Sequence, residues 1–318
     1  LCSARAVGFH MMSSRSGLAT APESHRNPIV HRYTTVLTQP LRRDCEATGL
    51  VEEDGRVRGV QLAEGGTVRA QLTIAADGRQ SVLGRDSALP LIDLGAPMDV
   101  FWFRIPKLAE PKADTLGVFA ARRVIVFIDR GDYYQCAFVF TKGTADSIRE
   151  MGIETFRERV RSAAPDMAAG VDAIRSWDDV KLLTVAIDRL QRWSRPGLLV
   201  IGDAAHAMSP MGGVGINLAV QDAVAAANIL AGPMAAGVDP DPLLGKVQER
   251  RMPPTRRTQG MQVFMQNSVV APLLKPGATL DKAPLAARAL DAIPLLRRIP
   301  GRIVGLGFRP EHIRSPEA

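Results

Sequence analysis

From Gly202 to Asn217 the chain reads GDAAHAMSPMGGVGIN, which sets a carboxylate, a proline and a cluster of glycines within one short connection. Leu198 to Ile201 (LLVI), after the Pro196-Gly197 turn, is the continuous apolar run of a strand buried on both faces. Asp203 therefore stands at the carboxyl end of a buried strand, where open α/β sheets take their ligands. Gly212, Gly213 and Gly215 leave backbone N–H groups uncovered where the next helix begins. Such a helix start attracts electron-rich atoms through unpaired donors and a partial positive charge. Glycines alone would mark only a tight turn, and Asp203 alone only a cap. An Asp at a strand end, a Pro that stiffens the crossing and an Asn that opens a helix together read as a cofactor cradle. His206 has the chemistry of an acid or base, but its place inside the turn points to structural hydrogen bonding.

Several elements must position this cradle. A helix is predicted from Ile216, with Ile216, Ala219, Val220, Ala223, Val224 and Ala227 on one face, closing near Gly232-Pro233. Upstream, TGLVEEDGRVRGVQL reads as two strands joined at Asp54-Gly55. Gln71 to Ala75 reads as another strand, followed at once by Asp77-Gly78. Between about 90 and 180 the runs Val100 to Ile105, Val124 to Ile128 and Tyr133 to Phe140 predict an antiparallel sheet, the last two paired across Asp129-Arg130-Gly131-Asp132. A helix over Ile153 to Ala164 ends before Pro165. Beyond Gly232 the chain reads as helical, with interruptions at Pro253-Pro254, Pro272 and Pro284, and residues 1–45 carry no readable periodicity.

Length and composition bound the class. The chain has 318 residues, 46% hydrophobic and 23% charged, enough for two domains of an ordinary globular protein. Its formal charge of +7 comes with only 5% aromatic residues and scattered arginines, so no nucleic-acid partner is expected. The basic excess is densest at Arg288, Arg297, Arg298, Arg302, Arg309 and Arg314, where any membrane-surface contact is expected to be weak. Cys2, Cys45 and Cys136 are widely spaced, and the five histidines show no paired ligand spacing. We therefore expect no metal and a reducing, cytoplasmic setting. The most apolar stretch, after Gly215, is broken by Asn217, Gln221, Asp222 and Asn228, so no membrane span is expected.

Gly202-Asp203 with His206, Pro210, Gly213, Gly215 and Asn217, preceded by Asp77-Gly78 with Ser81, resemble two fingerprints of the FAD-dependent aromatic hydroxylases. These are the p-hydroxybenzoate hydroxylase-like flavoprotein monooxygenases. The resemblance covers about Ala47 to the end and is densest from Asp178 to Leu230. It implies an α/β, Rossmann-like FAD-binding domain, incomplete at its start, with an inserted antiparallel-sheet substrate domain and a helical carboxyl-terminal region. The implied segments are 1–88 and 181–232 for the FAD-binding domain, 89–180 for the substrate domain and 233–318 for the helical region.

By the same likeness Asp203 would bond a ribityl hydroxyl, and Pro210 would lie beside the flavin ring. The N–H groups of Gly215, Ile216 and Asn217 would meet a flavin carbonyl, while Asp77 and Gly78 would serve the pyrophosphate region. The implied activity is hydroxylation of an aromatic or similarly activated ring by way of a flavin peroxide, with FAD as cofactor and NADPH or NADH and dioxygen as co-substrates. A flavin-dependent reductase on the same scaffold, or a remnant without cofactor, are the alternatives, and a homodimer is a further candidate assembly. Trp102, Arg104, Tyr133, Tyr134 and Gln135 are the candidates to face a small-molecule substrate, at most one of the two tyrosines doing so. No catalytic residue is assigned. The sequence departs from the family in two places. Gly84 stands where the family has an Arg, and residues 1–50 lack a GxGxxG unit, which implies the carboxyl-terminal three quarters of a longer protein.

Overall fold

The computed structural model describes residues 42–108, 115–120, 123–165, 168–275, 302–303 and 305–315. Cys2, Pro284, Arg288, Arg297, Arg298 and nearly all of the unassigned amino-terminal segment lie outside these. The first layer begins with β1 (Ala47–Glu53), β2 (Arg56–Leu62) and β3 (Thr67–Arg69), an antiparallel meander whose first turn is the expected Asp54-Gly55 pair. Then β4 (Thr73–Ala75) runs through Asp77-Gly78 into the one-turn helix α1 (Val82–Asp86).

After β5 (Leu91–Asp93) the chain enters a second layer through β6 (Met98–Pro106), β7 (Thr115–Ala120), β8 (Arg123–Asp129) and β9 (Tyr133–Thr141). Helices α2 (Ala145–Glu150) and α3 (Ile153–Ala163) follow, and β10 (Lys181–Leu183) returns to complete an antiparallel sheet of order β10-β6-β9-β8-β7. That last strand carries the sheet past residue 180. Next, β11 (Asp188–Leu190) pairs with β5. β12 (Ser194–Arg195) and β13 (Leu198–Val200) form the sheet β12-β13-β4, in which β13 is parallel to β4. The remainder is helical: α4 (Gly215–Ala235), α5 (Asp241–Met265), a π-turn over Gln266–Val270 and α6 (Ala271–Leu274).

The five-stranded sheet divides its side chains by strand parity. Phe101, Phe103, Ile105, Phe127, Tyr134 and Phe138 point to one face, where Phe156 and Val160 of α3 close a buried core. Phe156 meets the rings of Phe103, Phe138 and Trp177 at centroid distances of 5.4, 5.3 and 5.2 Å. The opposite face carries Met98, Val100, Val124, Ala137 and Val139, packed with Val270 and Leu273 from the π-turn and α6. A separate core joins β1, β2, β4 and β13 to α4 and α5 through Leu50, Val57, Leu198, Leu199, Ala226, Leu230 and Val247.

Three helical expectations change. Helix α4 runs through Pro233 to Ala235, where the Ala236 N–H reaches the Gly232 carbonyl. Its buried side is Leu218, Asp222, Ala225, Ala226 and Leu230, whereas Ile216 and Val220 of the expected apolar face are 68% and 52% exposed. Pro253-Pro254 do not interrupt α5. Pro254 removes the N–H that would bond the Arg250 carbonyl, and the Arg309 guanidinium takes that carbonyl instead, at 3.5 Å. Residues 211–235 are long and apolar enough to cross a membrane by length and composition alone, in contrast to the expectation. Here Gly215–Ala235 of that stretch forms α4, which buries Asp222 inside the fold.

Candidate functional site

The parallel pairing of β4 and β13 sets Ala75 beside Val200. Both strands therefore end at one edge, and Asp77-Gly78 and Gly202-Asp203 emerge side by side. At the first turn the Asp77 carboxylate accepts from Ser81 Oγ at 2.5 Å and from the Leu83 N–H at 3.2 Å. Ser81 caps α1 by accepting the Gly84 N–H at 2.6 Å. A Cβ on Gly84 would stand 2.7 Å from Ser81 Oγ. The glycine found where the family has an Arg thus lets α1 close on its own cap.

At the second turn, Gly202 opens the 3-10 segment Gly202–Ala204 in a left-handed conformation, φ 62°. A Cβ there would lie 3.1 Å from Ala219 of α4. The chain then passes through Pro210 and a second 3-10 turn, Met211–Gly213, in which Gly212 has φ 80°. Helix α4 starts at Gly215 without a capping side chain, and its own ladder begins with the Leu218 N–H on the Val214 carbonyl at 3.2 Å. The amides of Gly215 and Ile216 precede that first bond of the helix. Asp203 Oδ1 lies 3.7 Å from the position a Cβ on Gly215 would take, and nothing stands within 4 Å of such a position at Gly78 or Gly213. A carboxylate, a helix start and open glycine backbone thus converge, as a flavin's ribityl chain and pyrimidine ring require.

Side chains from distant elements hold this loop in place. Asp222 is fully buried and accepts from the Gly202 N–H at 3.1 Å and from Arg251 Nε at 2.9 Å. His206 Nε2 lies 2.6 Å from Asp222 Oδ2, the oxygen that also takes the Gly202 N–H. Because a carboxylate only accepts, Nε2 carries the proton, and the ring stacks on Trp193 at 4.9 Å. His206 is thus a structural donor, as its position suggests.

Along α5, Gln259 donates to the carbonyls of Asp188 and Ala207, at 2.7 and 3.0 Å. Gln262 donates to those of Ser209 and Met211, both at 3.0 Å, and accepts the Ser209 N–H at 3.2 Å. From the following π-turn, Gln266 donates to Ser209 Oγ at 2.7 Å. Asp188 accepts the Ala207 N–H at 3.2 Å, and burial first, then the nearby Asp93, pushes its carboxyl above the ordinary range.

Arg79, between the Asp77-Gly78 turn and α1, reaches across to the second turn. Its Nε donates to Asp203 Oδ2 at 3.2 Å and its Nη2 to the Met208 carbonyl at 2.6 Å. Sequence reading missed Arg79, Asp222, Arg251 and the three glutamines. Position inside the Asp-Gly turn was the one signal available for Arg79.

The substrate-side candidates divide by strand parity. Trp102, Arg104, Gln135 and Tyr133 share the face that carries Val100 and Val139, with Arg104 opposite Gln135 in register and its guanidinium 5.1 Å from the Tyr133 ring. Trp102 packs in the same cluster as Met211 of the cradle loop. Tyr134 lies on the other face, 3% exposed among the phenylalanines, and is removed from the candidates.

Two parallel strand ends that open at one edge, with an antiparallel sheet packed against the loop between them, define an α/β fold with a ligand edge. Residues 14–259 match the family described as FAD binding domain, and the chain belongs to it. FAD is its cofactor. The 6-methylpretetramide 4-monooxygenase of Streptomyces rimosus is 36% identical over 278 residues, 85% of this chain and 65% of that protein. The digeranylgeranylglycerophospholipid reductase of Thermoplasma volcanium is 24% identical over 204 residues, 58% of this chain and 47% of that protein. Among solved structures PqsL, a probable FAD-dependent monooxygenase from Pseudomonas aeruginosa, superposes with a TM-score of 0.63 at 19% identity. That match covers 76% of this chain and 68% of PqsL, and it is a likeness of fold. The chain spans 65% of the length of the Streptomyces rimosus relative.

Proposed function

We propose that this chain forms the flavin-binding and substrate-facing part of an NAD(P)H-dependent monooxygenase that hydroxylates an aromatic or similarly activated ring. One observation carries the reading. The apolar face of the five-stranded sheet, with Trp102, Val126 and Val139, meets Met211 of the cradle loop in a single cluster. A ring held against that wall is placed beside the flavin edge and away from water.

Bound FAD supplies hydride acceptance from NAD(P)H and the activation of dioxygen. The protein's residues supply position. Asp203 would take a ribityl hydroxyl, Pro210 would stiffen the loop beside the ring, and the amides of Gly215, Ile216 and Asn217 would hold the pyrimidine carbonyl. Negative charge there is stabilised by the helix start by about 0.3–2 kcal/mol. Asp77 acts on the pyrophosphate side through the α1 start that it holds. On the substrate side, Arg104 and Gln135 offer donors at one edge of an otherwise apolar wall, which suits a ring bearing oxygen substituents. A cytoplasmic setting is part of the same proposal, and cell fractionation can check it.

A flavin-dependent reductase is the second reading, favoured by the presence of reductases among the relatives. The two part company in one assay. With FAD and NAD(P)H, candidate phenolic rings should stimulate NAD(P)H oxidation and yield a product heavier by one oxygen atom. A product gaining hydrogen without oxygen would replace the monooxygenase reading with the reductase. Failure to bind any flavin would remove both and leave a remnant without cofactor.

A further inference from the structure

Arg79 is the one side chain among the described residues that hydrogen-bonds from the Asp77-Gly78 turn to the Gly202–Met211 segment, 124 positions away from Asp203 in sequence. Its guanidinium uses two nitrogens on two different acceptors, the Asp203 carboxylate and the Met208 carbonyl. Arg79 and Asp203 are 28% and 31% exposed at their side chains. An ion pair so open to water contributes little to folding, whereas a planar fork bound at two points fixes geometry. The bond falls on Oδ2 of Asp203 and leaves Oδ1 on the side of Gly215, where α4 begins.

We propose that Arg79 is a positioning residue of the flavin site, one that orients the Asp203 carboxylate toward the ribityl chain and fixes the Met208 peptide at the same time. This rests on the reading of Asp203 as the ribityl acceptor. Arg79 acts through Asp203, so its effect belongs to the ribityl half of the cofactor and not to the phosphates. A lysine reaches one acceptor at a time and restores only part of the function.

The test is a fluorescence titration of the 318-residue chain and its variants with two probes. Riboflavin carries the ribityl chain without phosphate, and FAD carries both. Arg79→Gln should weaken both probes by about tenfold, and Arg79→Lys by less. The double variant Arg79→Gln/Asp203→Asn should bind no more weakly than Asp203→Asn alone, because the two residues act as one unit. Melting curves that match the native chain should accompany all three single variants.

Three results would overturn the proposal: native affinity in Arg79→Gln, a loss confined to FAD with riboflavin unaffected, or losses that multiply in the double variant. A native chain that binds neither probe would overturn the cradle reading itself, and this inference with it. Should Arg79→Gln melt early, Arg79→Lys and Asp203→Asn supply the same comparison.

Discussion

The cradle and the five-stranded sheet are built from different forces. The sheet is held by aromatic packing, with Phe101, Phe103, Phe138 and Phe156 buried against one another. The cradle loop is held by directed bonds from buried polar side chains, Asp222, Gln259, Gln262 and Gln266. Apolar packing is strong and weakly directional, and it serves a wall that must only be flat and dry. Hydrogen bonds fix individual peptides, which a site must have when it binds a cofactor through backbone amides. The difference teaches where each kind of substitution should register: in stability for the sheet, in cofactor affinity for the loop.

The largest effects should come from one residue of each kind. Phe156→Ala should cost about 3–5 kcal/mol in urea unfolding and leave the flavin affinity of the folded fraction unchanged. Asp222→Ala should cost about 3–5 kcal/mol as well, because it takes from the buried Arg251 its nearer carboxylate, at 2.9 Å, and leaves only Glu311 at 3.4 Å. It should also abolish flavin binding under conditions where the chain is folded. Equal flavin affinity in the two variants would break the contrast.

Next in size is Gln262→Leu, which leaves the Ser209 amide and two carbonyls without their partner. It should destabilise by about 1–3 kcal/mol and weaken flavin several-fold, both read from the same titration and unfolding curves.

The smallest expected effect is a pH dependence at Asp188. The ordinary value is 3.8, and burial raises it in the fold. A raised carboxyl favours the folded state fully below about 3.8, and that contribution is lost as pH climbs through the higher folded value. Asp188→Asn keeps an oxygen for the Ala207 N–H and removes the titration. The variant should therefore gain stability relative to the native chain as pH rises above the ordinary value of 3.8, measured by unfolding at several pH values. A stability difference that stays flat would contradict the assignment.

The cradle was legible because its parts are contiguous: Gly202, Asp203, Pro210 and the glycines fall in one stretch, and Leu198 to Ile201 announces the strand before them. Three strands of the sheet were legible from alternation and from the turn at Asp129 to Asp132, their ends moving by at most two residues, whereas β7 and β10 were not read. What supports the cradle was not legible. Arg251 lies 29 positions from Asp222, and Gln259 lies 71 from Asp188. A polar residue in a helix reads as a solvated one until its partner is known. Asp222 accordingly looked like an interruption of an apolar run, although it is the buried centre of α4. The same cause reversed the face of that helix, since periodicity marks Ile216 and Val220 as readily as it marks Leu218 and Leu230. Pro253-Pro254 misled in another way, because the rescue of the Arg250 carbonyl comes from Arg309, far along the chain.

The central claim is that the loop beginning at Gly202-Asp203 holds the flavin by its ribityl and pyrimidine end. The direct test is FAD retention on gel filtration by the native chain and by Asp203→Ala, followed by the visible absorption of the protein peak. The account predicts a yellow native protein and a colourless variant with an unchanged melting curve. Equal flavin in both peaks would contradict it.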